Sequence, residues 1–245
     1  MHHKVSSRSI AKCWSEAMPW RVMLLLLVAG LGASANLDAQ VATEELQSIR
    51  PRWVGARMPA FTVKDDRAEA ITFAPDELTA PTIFIFYRGG WSSECRRYLR
   101  RLRDTEWTLR EMGFEVVFLS ADGPPALRAD PQLAALDYNL LSDSQMQAAH
   151  AMGVAYRLSN STTERYKHYG VDVEAVSGER HHELAFPSAF IVDRTGMIRF
   201  VYLSPKLGIR IEAEELLAAA KSLTAGPTAQ ADIARTAETL AEPEK

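Results

Sequence analysis

The sequence predicts an α/β protein: a three-layer sandwich with a central mixed sheet and helices on both faces. Two observations carry this. Residues 82–87, 115–120 and 189–192 are short, mostly apolar runs rich in β-branched and aromatic side chains, which suits strands buried on both faces. Segments with helical spacing alternate with these runs, and the last run is followed by a hairpin partner instead of a helix. Alternation ending in a hairpin gives a mixed sheet whose β-α-β connections need right-handed crossovers.

The folded part is expected to begin near Pro59. Residues 60–63 and 71–73 form a hairpin, with 64–69 as its turn. Residues 82–87 are the first buried strand. The helix after it covers 93–112, with an inward stripe of Cys95, Tyr98, Leu102, Leu109 and Met112 and with Thr105 in phase; Gly113 stops it. Residues 115–120 are the next buried strand. Pro124, Pro125 and Pro131 mark an irregular stretch with at most short helix, and Leu140 and Leu141 a brief strand. Ser142-Asp143-Ser144 cap a helix that runs through Met152 and is closed by Gly153. Residues 156–183 read as a polar loop with one short helix near 162–168. Residues 189–192 and 197–203 are strands joined by the turn Asp193-Arg194-Thr195-Gly196, and 212–223 an amphipathic helix. Together these make one domain over residues 53–225, with 36–52 as linker and 226–245 as a frayed tail.

A chain of 245 residues, 47% hydrophobic and 24% charged, has the composition of a globular protein with a sizeable core. A net charge of −3 gives no electrostatic footprint for nucleic acid. Residues 1–35 read as a signal peptide. Lys4, Arg8, Lys12 and Arg21 precede an apolar run from Val22, which ends at the small-x-small pattern Ala33-Ser34-Ala35. An uncleaved anchor is the alternative, and Met18 is an alternative start. Cleavage implies an exported protein, periplasmic or extracellular, with no membrane attachment. It removes Cys13, leaves Cys95 as the single cysteine, and shifts the formal charge from −3 to −6.

The chemistry concentrates in residues 84–95, Phe-Ile-Phe-Tyr-Arg-Gly-Gly-Trp-Ser-Ser-Glu-Cys. An apolar strand, a short turn and a helix start with a cysteine in its first turn are the parts of a thioredoxin-type redox site. Such sites carry Cys-x-x-Cys; here Ser92 holds the first position and Cys95 the second. A thiol reacts as thiolate, and helix N-terminal amides favour that form. Cys95 is either a buried, inert core cysteine or a monothiol that reacts when a peroxide or partner reaches it. Ser92 is either an N-cap or a nucleophile, and no G-x-S-x-G elbow surrounds it. Pro187 precedes a strand, and could be cis and face the site or be an ordinary trans residue. Arg96, Arg97, Arg100, Arg101 and Arg103 read as a solvated helix face, or as contacts for an anionic partner. His181-His182-Glu183 reads as a solvated loop rather than a metal site.

Phe86-Tyr87-Arg88-Gly89-Gly90-Trp91 followed by x-x-x-Cys95 resembles the F-Y-R-G-x-W-C-P-x-C segment of the peroxiredoxin-like branch of the redoxin family, the alkyl hydroperoxide reductase and thiol-specific antioxidant proteins. Residues 54–62 are similar to that family's opening G-x-x-x-P-x-F-x-L, Leu141-Ser142-Asp143 with Gly153-Val154 to its L-S-D … G-V, and residues 186–196 to its P-x-T-F-V-I-D-x-x-G. The resemblance implies a thioredoxin-like fold and thiol-dependent reduction of peroxides or disulfides. Carried over, it puts the attacking position at Ser92 and the second-cysteine position at Cys95, with Arg88, Trp91 and Pro187 as the shell of the site. The P-x-x-x-T-x-x-C signature of true peroxiredoxins is not matched. The sequence therefore reads as an exported antioxidant oxidoreductase working through Cys95, served by a thiol reductant or protein partner, with no cofactor and no metal. The alternatives are a non-catalytic binding module using the cleft near Trp91 and Pro187, or a single-thiol sensor.

Overall fold

The computed structural model describes residues 49–224 apart from residues 130, 205 and 207. The expected signal peptide, most of the linker and the tail lie outside the described residues. The end of the expected linker does not: Ile49 is buried in the core, and the amides of Arg50 and Arg52 bond to the carbonyls of Gly153 and Met152 at 2.8 and 3.0 Å.

In chain order the elements are β1 (Phe61–Lys64), β2 (Ala70–Phe73), β3 (Thr82–Phe86), α1 (Ser93–Arg101), α2 (Arg103–Glu111), β4 (Glu115–Ser120), α3 (Pro124–Ala129), α4 (Pro131–Ala134), β5 (Asn139–Ser142), α5 (Gln147–Met152), β6 (Ala155–Arg157), α6 (Asn160–His168), α7 (Val173–Ser177), β7 (Glu183–Ala185), β8 (Ser188–Val192), β9 (Ile198–Leu203) and α8 (Ala213–Thr224). Seven strands form one mixed sheet in the order β2-β1-β5-β4-β3-β8-β9. The pairs β3–β4 and β4–β5 are parallel; β8 and β9 complete one side antiparallel, β1 and β2 the other.

The period of two along each strand divides the core between the two faces of the sheet. Ile83, Ile85, Val116, Phe118, Ala189 and Ile191 point to one side, where they meet Cys95, Tyr98, Leu99 and Leu102 of the first helices and Leu216 and Ala220 of α8. Phe84, Phe86, Val117, Leu119, Phe190 and Val192 point to the other side, against Ala148, Ala149 and Met152 of α5. Every residue of β3 and β8 is buried, so strands apolar on both faces are what this sandwich requires.

The structure differs from the sequence expectation in three places. The expected single helix over 93–112 is two, because the Leu102 amide closes onto both Tyr98 and Leu99 carbonyls and tightens the turn there. The buried stripe includes Leu99 and Glu106, whereas Met112 is only half-buried. The polar stretch 156–183 holds the short helix expected near 162–168, which is α6 and starts at the Ser159 cap, but it holds more besides: β6 and β7 pair as a small antiparallel sheet, and α7 starts where the Asp172 carboxylate accepts from the Glu174 and Ala175 amides. His181 and His182 lie in the expected loop, between α7 and β7, but are partly buried and hydrogen-bonded there. The Glu183 amide donates to His181 Nδ1 at 2.8 Å, and His182 Nε2 meets Glu174 Oε1 at 2.6 Å.

Candidate active site

The turn after β3 is held by its neighbours. β4 leads to Asp122, whose Oδ2 accepts from the Gly90 amide at 2.6 Å and from the Ser120 hydroxyl at 3.1 Å. The Arg96 guanidinium donates back to the Gly90 carbonyl. Gly89 has φ +154°, and a β-carbon there would lie 2.3 Å from Trp91 Nε1 and 2.6 Å from Asp122 Oδ1. Only glycine lets the indole and the carboxylate approach the chain this closely.

Ser92 is buried, with extended backbone, and caps α1: its Oγ accepts from the Cys95 amide at 3.3 Å. Cys95 therefore lies within the first helical turn, facing the sheet beside Tyr87. Its side chain is fully buried. The group that meets its sulfur comes from 115 residues away: Arg210 Nη2 lies 3.2 Å from Sγ in the segment before α8. Arg210 is itself only 7% exposed, and its Nη1 donates to the Ile209 carbonyl at 2.8 Å.

Burial pushes the Cys95 thiol up, as it does for any buried acid. The charge of Arg210, hydrogen bonds from Ser92 and Arg210, and the charge of Arg88 outweigh it and hold the thiol below its ordinary value. A buried cysteine without such partners would be a neutral, inert thiol.

The shell residues fall into two groups. Arg88 and Trp91 are together: the guanidinium carbon lies 5.5 Å from the indole centroid, Arg88 Nη1 donates to the Tyr166 hydroxyl at 3.2 Å, and the Trp91 and Tyr166 rings are 5.5 Å apart. Tyr166 belongs to α6, the short helix expected near 162–168. Pro187 is buried one residue before the Phe86↔Ser188 pair, at the same end of the sheet as the turn. No peptide bond among the described residues is cis, so Pro187 is trans. Its carbonyl accepts from the Ser204 amide at 3.1 Å. Of the helix arginines, Arg97, Arg100, Arg101 and Arg103 are exposed, and only Arg96 turns toward the site. Among the described residues no cluster of His, Cys, Asp and Glu could hold a metal ion.

Residues 54–201, more than half of the chain, match the AhpC/TSA family. A putative peroxiredoxin, bcp, of Haemophilus influenzae is 28% identical over 106 residues, which cover 43% of this chain and 68% of the relative. The peroxiredoxin-like protein from Aquifex aeolicus superposes with a TM-score of 0.53 at 18% identity, over 72% of this chain and 90% of that one. Enterococcus faecalis AhpC does so with a TM-score of 0.50 at 23% identity, over 70% and 92%. These likenesses establish the thioredoxin-like fold.

Proposed function

The chain belongs to the AhpC/TSA family, and we propose that it is a single-thiol peroxide reductase in which Cys95 is the attacking residue. The observation that carries this reading is the buried Arg210 guanidinium 3.2 Å from Cys95 Sγ, in the first turn of a helix. A protein does not bury an arginine beside an inert thiol without cost, since a desolvated cation needs a compensating charge. A Cys95 thiolate at 3.2 Å is placed to contribute to it.

The spacing of the turn supports the same assignment. Against P-x-x-x-T-x-x-C the segment reads Arg88-x-x-x-Ser92-x-x-Cys95. A hydroxyl then occupies the threonine position, and Cys95, not Ser92, occupies the cysteine position. Ser92 is on this reading the helix cap and a hydrogen-bond partner of the thiolate. In the reaction the Cys95 thiolate attacks the distal oxygen of R–O–O–H. An S–O bond forms, the O–O bond breaks, and the departing alkoxide takes a proton, giving Cys95 sulfenic acid and R–OH. Two external thiols complete the cycle. The first releases water and forms a mixed disulfide; the second frees Cys95 as a disulfide of the two reductants leaves.

The full burial of Cys95 favours a second reading, a non-catalytic binding module. Peroxide consumption with a thiol reductant separates them: equal rates for wild type and Cys95→Ala would leave only the binding module. We place the activity outside the cytoplasm on the strength of residues 1–35. A purified protein whose N-terminal sequence still begins near Met1 would contradict that placement.

A further inference from the structure

Arg88 carries more hydrogen-bonding capacity than the fold uses. Of its guanidinium nitrogens, Nη1 serves Tyr166 and Nη2 meets Glu94 Oε2 at 3.3 Å. Nε is buried and has no partner among the described residues. Nε–H and the adjacent Nη2–H form the edge of the guanidinium that matches a carboxylate with two parallel bonds. Here that edge is half filled, by one oxygen of a residue whose side chain is 54% exposed. An ion pair with so exposed a partner is weak and readily displaced. The guanidinium itself is not free to wander, because its side chain is 13% exposed, it faces the Trp91 ring and it is tied to Tyr166. A fixed fork with a replaceable occupant is a binding site rather than a structural pair.

We propose that Arg88 forms a carboxylate subsite beside Cys95, which holds the carboxylate of a small thiol reductant or of a hydroperoxide while its reactive end meets the sulfur. The identity of the ligand rests on the peroxide-reductase reading; the subsite does not. Proximity to the sulfur follows from the chain, since Arg88 is in the turn that ends at the Ser92 cap, and from the fact that its charge is among those felt by the thiol. External thiol is needed once residues 1–35 are cleaved, because that leaves Cys95 as the single cysteine. Trp91 and Tyr166 beside it are both half-buried, and the exposed Glu94 is the side chain that a ligand's carboxylate would displace to reach the fork.

The test is the rate of alkylation of Cys95 by iodoacetate, which carries a carboxylate, relative to iodoacetamide, which does not. Variants that change the thiol's ionisation alter both rates, so the ratio isolates the subsite. Wild type should show a ratio several-fold above that of Arg88→Gln. Arg88→Lys keeps the charge but not the fork, and should fall toward the Gln variant. Glu94→Gln changes an exposed residue, frees the fork and should raise the ratio above wild type. The proposal is overturned if Arg88→Gln leaves the ratio unchanged, if Arg88→Lys keeps the full wild-type ratio, if Glu94→Gln does not raise it, or if neither reagent reaches Cys95 in the folded protein. Turnover then assigns the source, with 3-mercaptopropionate against 2-mercaptoethanol as reductant and a carboxylate-bearing hydroperoxide against tert-butyl hydroperoxide. An Arg88-dependent gain in one arm assigns the subsite to that ligand, and, in a protein that turns over peroxide, a gain in neither arm overturns it. A protein that consumes no peroxide at all sinks the peroxide-reductase reading while the alkylation ratio still decides the subsite.

Discussion

The same parallel strands, β3 and β4, end in two unlike hollows. At their N-terminal ends lies a cavity of about 610 Å³, lined by Glu106, Glu115, Asp137 and Arg110. At their C-terminal ends lies one of about 410 Å³, lined by Gly90, Trp91, Arg96 and Asp122 together with residues of α3 and α7. The larger is lined by no thiol, and burial raises its Glu106 and Glu115 carboxyls against ionisation. The smaller adjoins the turn that leads to Cys95. Cavity size is therefore a poor guide to chemistry here. The carboxyl ends of the parallel strands gather the connecting loops, and so can bring Arg88, Ser92, Asp122 and Tyr166 to one place.

Four expected outcomes sharpen or break this contrast. Cys95→Ala should reduce peroxide consumption to the protein-free background, while Glu106→Gln in the larger cavity should leave it unchanged; steady-state peroxide assays check both. Arg210→Met should come next. A hydrogen bond to a charged group contributes about 1.5–3 kcal/mol, so the rate with peroxide should fall about 10- to 100-fold. The pH midpoint of Cys95 alkylation should rise with it, because loss of Arg210 leaves burial to dominate the thiol. Ser92→Ala removes the cap of α1 and should cost about 1 kcal/mol by denaturant unfolding. A smaller upward move of the same alkylation midpoint should accompany it.

The last effect is one of stability alone, on the sheet face away from Cys95, and leaves the chemistry untouched. Burial pushes the Asp143 carboxyl from its ordinary 3.8 up to about 7, although the amides of Ala148 and Ala149 bond to it. The unfolded chain therefore ionises first. Stability should fall as pH rises from 3.8 to about 7 and level off above, and Asp143→Asn should flatten that slope in unfolding titrations.

The frame of the site was legible because it is local. Residues 82–95 carry strand, turn, cap and thiol within fourteen consecutive positions, and period alone gives their burial. The pairing that decides the chemistry was not legible. Arg210 sits in an irregular segment with no periodicity, beyond the residues that match the family, and only the crossover to α8 brings it to Cys95. A pattern of inward residues says that Cys95 is buried; it cannot say that a guanidinium is buried with it. Tyr166 was hidden for a related reason. Its helix is legible near 162–168, but β6 and β7, which flank that helix, are three residues each, too short for alternation to show, so its place beside Arg88 is not.

The central claim is that Cys95 takes the oxygen from a peroxide. Mass spectrometry of the protein after one equivalent of hydrogen peroxide, with sulfenic acid trapped by a dimedone-type reagent, tests it most directly. The account predicts loss of the peroxide and the adduct on Cys95, absent in Cys95→Ala and slowed in Arg210→Met. An unmodified Cys95 in folded protein, with the peroxide unconsumed, would contradict it.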